Sequence, residues 1–126
     1  MKKAINDWDK KIEEKIKTKI FLYAGHDSSV TNILSAFNVW TQQFPDYGIT
    51  ALLEFSRNKI SGEYGLEIFL RNTTKSPPQP LVIPGCTQFC PLKDVKRLLE
   101  KNIPVNWENE CVAKNNGFTA PPIGGP

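Results

Sequence analysis

Ile5, Trp8, Ile12, Ile16 and Ile20 recur at intervals of three and four, with lysines and glutamates between them. That spacing predicts an amphipathic helix over about 5–17. The run from Thr18 to Ala24 then reads Thr-Lys-Ile-Phe-Leu-Tyr-Ala. Four consecutive bulky residues have no polar face, which predicts a strand covered on both sides. After Gly25 and His26, the positions Val30, Ile33, Leu34, Phe37, Trp40 and Phe44 return to helical spacing, with Asp27 or Ser28 placed to cap the helix. Beyond Pro45-Asp46-Tyr47-Gly48 the period falls to two. Ala51, Leu53 and Phe55 alternate with Leu52, Glu54 and Ser56, and Tyr64, Leu66, Ile68 and Leu70 alternate with Glu63, Gly65, Glu67, Phe69 and Arg71. An antiparallel hairpin with a loop of about five residues is expected. Leu81-Val82-Ile83, between Pro80 and Pro84, reads as a short edge strand. Pro91 then opens a helix whose apolar face is Leu92, Val95, Leu98 and Leu99, ending before Pro104. The class is α/β: helix, strand and helix, followed by an antiparallel hairpin and a C-terminal helix. Residues 1–112 form the folded part and 113–126 a flexible Gly/Pro-rich tail.

The length of 126 residues suits one domain, and 40% hydrophobic residues with 10% aromatics are enough for a core. No apolar run reaches the roughly 20 residues of a membrane span. Polar Asn6, Asp7, Asp9 and Lys10 stand where a secretory leader would be apolar. The start reads as neither a targeting segment nor a tidy domain beginning, which fits a piece of a larger protein. Seven lysines against four acids in residues 1–19 account for the whole net charge of +3, and the rest of the chain balances. The charge is therefore one wet helix face, with membrane-surface binding as its rival reading, and it does not suggest nucleic-acid binding. Trp8, Phe37 and Trp40 are expected in the core. Tyr47 either borders a substrate mouth or packs in a turn.

Cys86 and Cys90 lie four apart and Cys111 stands alone. Together with Asn72-Thr73-Thr74, an acceptor sequence for N-glycosylation, they tilt the compartment towards oxidising. Zinc held by Cys86, Cys90, Cys111 and His26 is the competing account, although the spacing follows no common zinc pattern. No cofactor is expected.

His26 and Asp27 sit where the expected strand hands over to a helix. Leading helix amides there favour an anion such as a phosphate. An imidazole can donate to a phosphoryl oxygen, and a carboxylic acid can protonate a departing alcohol. The plainer readings are that Asp27 only caps the helix and that His26 only satisfies a backbone carbonyl.

The stretch Phe21-Leu22-Tyr23-Ala24-Gly25-His26-Asp27-Ser28-Ser29 resembles the second signature of the histidine acid phosphatases. In order follow the hairpin, Leu70-Arg71-Asn72-Thr73, Pro84-Gly85-Cys86-Thr87-Gln88-Phe89-Cys90-Pro91-Leu92, and Ile103-Pro104 with Trp107 and Cys111. The series resembles the carboxyl-terminal part of the animal lysosomal and prostatic branch, over about residues 5 to 112. The resemblance implies an incomplete three-layer phosphoglycerate-mutase-like domain. It also implies phosphomonoester hydrolysis through a phosphohistidine, with a phosphomonoester or inorganic phosphate as ligand.

By position, the resemblance makes His26 a phosphate-binding histidine and Asp27 the general acid. It pairs Cys86 with Cys90, leaves Cys111 without its upstream partner, and makes Asn72 a glycosylation site in a secreted or lysosomal protein. A homodimer of the full-length form is consistent with it. The family's nucleophile lies in an Arg-His-Gly-x-Arg-x-Pro motif that this sequence does not contain. Its one histidine already has the other role, and none of Arg57, Arg71 and Arg97 matches the phosphate clamp. Since covalent catalysis through histidine needs a second imidazole, the chain alone is expected to be inactive. The alternative is a non-catalytic module binding an anion or a partner, and a structural protein is a third reading.

Overall fold

The computed structural model describes residues 1–110, 112 and 117. Helix α1 spans Lys2–Ile12 and α2 spans Asp27–Ala36. The hairpin follows as β1, Thr50–Arg57, and β2, Tyr64–Arg71. Two short strands come next, β3 at Gln79–Leu81 and β4 at Cys90–Pro91. Helix α3, Leu92–Leu99, runs into a 3-10 turn at Glu100–Asn102, and α4 covers Trp107–Glu110. Strand β2 is central: β1 pairs along its whole length, while β3 and β4 share its other edge.

The two-residue period does the work expected of it. Ala51, Leu53 and Phe55 stand opposite Leu70, Ile68 and Leu66 on one face. That face joins a single core with Ile5 and Trp8 of α1, Leu34 of α2, Phe37, Ile83, Cys90, and Leu92, Val95 and Leu99 of α3. Trp8 stacks on Phe55, and Phe55 on Tyr64, with centroids 5.7 and 5.5 Å apart. The Lys96 ammonium lies 2.7 and 2.8 Å from the two carboxylate oxygens of Asp9, tying α3 to α1. At Gly65 the sheet closes too tightly for any side chain. A Cβ there would sit 2.7 Å from the Cys90 carbonyl oxygen and run into the Phe89 ring.

Several expectations are corrected. Helix α1 ends at Ile12 rather than 17, because Glu14 takes a left-handed φ of 56° and Lys15 N–H turns back to the Lys10 carbonyl. Ile16 and Ile20 therefore leave the helical stripe. The run 18–24 is not a covered strand. Among the described residues nothing hydrogen-bonds its backbone, and Ile20 and Leu22 are 82% and 91% exposed. The segment lies between α1 and α2 with no sheet neighbour beside it. Helix α2 stops at Ala36, where Asn38 adopts a φ of 56°, so Phe44 is exposed and Trp40 is only half-buried against the core. The short edge strand is Gln79–Leu81, two residues earlier than its apolar run, because the register places Leu81 opposite Ile68. Pro91 belongs to β4 and precedes α3.

The architecture is an α/β domain consistent with a partial phosphoglycerate-mutase-like fold. Cys86 and Cys90 form a disulfide, with their Cα atoms 5.3 Å apart. That takes two of the residues a zinc site would have used. Cys111 and the tail expected over 113–126 lie, Gly117 apart, outside the described residues.

Candidate functional site

His26, in extended conformation at φ −81° and ψ 163°, is the N-cap of α2. Asp27 is the first helical residue and not the expected cap, and no side chain caps this end. The Asp27 carboxylate instead accepts from the amide of Ser28 at 2.6 Å, and the His26 carbonyl accepts from Ser29 N–H at 2.9 Å. Of the leading amides, only that of Asp27 has no partner among the described residues. The helix end thus holds a carboxylate of its own where a free anion was expected, a favourable placement for that charge.

Both side chains open on one groove of about 530 Å3, lined by Gly25, His26, Asp27, Val30 and the 45–49 loop. Both residues are exposed. Leu34 is fully buried and Phe37 nearly so, which fixes α2 against the sheet and hence the direction of its first turn. In the 45–49 loop, Asp46 accepts from Tyr47 N–H at 2.7 Å, and the Gly48 φ of 76° turns the loop back into β1. Tyr47, 94% exposed, borders the groove and does not pack in its turn.

Asp46 escaped the sequence reading. Next to Pro45 it looks like turn chemistry, and it does bond its own turn; only the fold brings it to the same groove as Asp27. The groove carries two carboxylates and no lysine or arginine. All three arginines are committed elsewhere. Arg57 donates to the Gly62 carbonyl and lies over the Tyr64 ring, Arg71 donates to the carbonyls of Thr73 and Thr74, and Arg97 pairs with Asp94.

Asn72 follows β2 directly and is half-buried, and its side-chain carbonyl has no hydrogen-bond partner. Among the described residues, no group of three or more His, Cys, Asp or Glu side chains could hold a metal ion, and no helix is long and apolar enough to cross a membrane.

The sequence is 36% identical to human prostatic acid phosphatase over 98 residues, 78% of this chain and 25% of that protein. Rat prostatic acid phosphatase is 34% identical over the same shares. Rat lysosomal acid phosphatase is 34% identical over 93 residues, 74% of this chain and 22% of that protein. Part of this chain is homologous to the histidine acid phosphatases. The chain spans about a quarter of the length of the curated relatives it matches. No protein-family model matches it.

Proposed function

We propose that the groove at the start of α2 is the leaving-group half of an acid phosphatase site. Asp27 protonates the departing alcohol oxygen of a phosphomonoester, and His26 donates a hydrogen bond to a phosphoryl oxygen. The observation that carries this reading is the meeting of His26 and Asp27 on one open groove at a helix N-terminus. General acid catalysis needs a carboxyl group within reach of the leaving oxygen, and an exposed group on the groove wall meets that condition. The homology to prostatic and lysosomal acid phosphatases supplies the reaction class.

Two carboxylates with no lysine or arginine beside them are the wrong lining for clamping a phosphate dianion. The groove therefore supports the protonating half of the reaction. The nucleophilic imidazole and the cationic clamp have to be supplied from outside these 126 residues, and the chain by itself does not turn over. A free-standing anion-binding module is disfavoured by the same lining. The Cys86–Cys90 disulfide supports an oxidising compartment, secreted or lysosomal, in which Asn72 is glycosylated.

Titration with inorganic phosphate, followed by backbone amide NMR at mildly acidic pH, tests the site. The proposal expects a weak response centred on residues 25–30 and 46–48. Shifts spread over the lysines of residues 2–19, with none in the groove, would overturn it.

A further inference from the structure

Two turns meet at the open end of the hairpin. Thr50 begins β1 and Arg71 ends β2, and the two stand opposite each other in the register. The turn before β1 and the turn after β2 are therefore neighbours, although the whole hairpin separates them in sequence. The first turn, 46–49, brings Asp46 and Tyr47 to the groove. It is closed by the Ile49 amide, which donates to the Asp46 carbonyl at 3.1 Å, and the Thr50 hydroxyl donates to the Gly48 carbonyl at 3.0 Å. The second turn, 72–76, is held by Arg71. Its Nε donates to the Thr73 carbonyl at 3.2 Å and its Nη2 to the Thr74 carbonyl at 2.9 Å. The Thr73 hydroxyl accepts from the Lys75 amide at 3.1 Å and bonds the Ser76 hydroxyl at 3.2 Å.

The turns touch at Gly48. The Thr74 methyl lies over it so closely that a Cβ on Gly48 would come within 2.6 Å of that methyl. Every contact in this support lies within the described residues.

We propose that Arg71 is a positioning residue of the groove. It holds the Thr73 and Thr74 carbonyls, which sets the Thr74 methyl against Gly48 and fixes the wall that carries Asp46 and Tyr47. The role rests on the reading of the groove as a leaving-group half-site. A guanidinium suits it, because a rigid fork reaches two carbonyls from two nitrogens, whereas an ammonium offers one. Without that hold the 46–49 turn keeps only its own closing bond and the Thr50 contact. An exposed turn with so few ties opens readily. Thr74 is also the third residue of the Asn72-Thr73-Thr74 acceptor sequence, which uses its hydroxyl, while the groove uses its methyl. Substitution separates the two uses: Thr74→Ser keeps the acceptor sequence without the methyl, and Thr74→Val keeps the methyl without the hydroxyl.

NMR of the full chain, with inorganic phosphate as the probe, tests the role. The unmodified chain should show a cross-peak between the Thr74 methyl and the Gly48 α-protons, and Arg71→Gln should lose it. In the phosphate titration, Arg71→Gln and Thr74→Ser should lose the amide shifts at 46–48 and keep those at 25–30. Thr74→Val should retain both sets, as should Arg97→Gln, at an arginine paired with Asp94 on α3. A contribution to overall stability alone would lower both sets together or neither. A missing cross-peak in the unmodified chain would overturn the positioning role. So would shifts at 46–48 that survive Arg71→Gln and Thr74→Ser, or equal losses at 25–30, with the half-site reading left standing. An unmodified chain that shows the cross-peak but no groove shifts would overturn the half-site reading, and this role with it.

Discussion

Leu22 and Leu34 carry the same side chain and should answer truncation in opposite ways. Leu34 is 0% exposed at the seat of α2, whereas Leu22 is 91% exposed on the unpaired run. Leu34→Ala removes three buried carbons and leaves a cavity, which costs about 2–5 kcal/mol. A domain of this length has a total stability of roughly 5–15 kcal/mol, so the loss is a large fraction of it. Leu22→Ala removes surface that water already reaches and should stay within about 0.5 kcal/mol. Urea unfolding followed by tryptophan fluorescence measures both. A covered strand at 19–24 would make the two losses equal. A Leu22→Ala loss of about 2 kcal/mol or more would therefore refute the exposed placement. A Leu34→Ala loss below about 1 kcal/mol would refute the anchoring of α2, and with it the fixed position of His26 and Asp27.

Three further predictions follow from single contacts. Gly65→Ala should destabilise the sheet by about 1–3 kcal/mol, because the new methyl meets Phe89 and the Cys90 carbonyl; a neutral result in urea unfolding would refute that close approach. Glu54 and Glu67 stand directly opposite on the outer face, so Glu67→Lys should raise stability by about 0.2–1 kcal/mol in low salt, with a smaller gain in high salt. Lys3 has a pKa raised by its hydrogen bond to Asp7 and then by that to Tyr23. A cation held more firmly in the folded state contributes fully below the ordinary lysine range, and the contribution is lost as pH climbs through the raised value. The Phe21 ring resonances should therefore hold steady through neutral pH and move only in alkaline solution, while Lys3→Met should show the displaced shift at every pH.

What could be read from the chain depended on whether a pattern reports on itself or on its neighbours. The hairpin was legible because alternation fixes both its faces and its pairing; the observed strands begin and end within about a residue of the apolar alternation. Helix α3 was equally plain, its apolar residues falling on one stripe between two prolines. The run at 19–24 was not. Four bulky residues in a row state a demand for cover on both faces, and the neighbours that would meet it are absent from the described structure.

The site divides in the same way. The placement of His26 and Asp27 at a helix start was legible because it is a local feature of the sequence. Asp46 was not, since its sequence surroundings are those of a turn and only the fold brings it to the groove. That Asp27 would stand at the helix start was legible, whereas its bond to the amide of Ser28 in place of a cap was not.

The most direct test of the half-site account is an aryl phosphate assay on the 126-residue chain at about pH 5, where a carboxylic acid is partly protonated. The account predicts no release of the phenol above the buffer rate, from the unmodified chain or from Asp27→Asn. Turnover that disappears in Asp27→Asn would contradict it, since the chain would then hold a complete site.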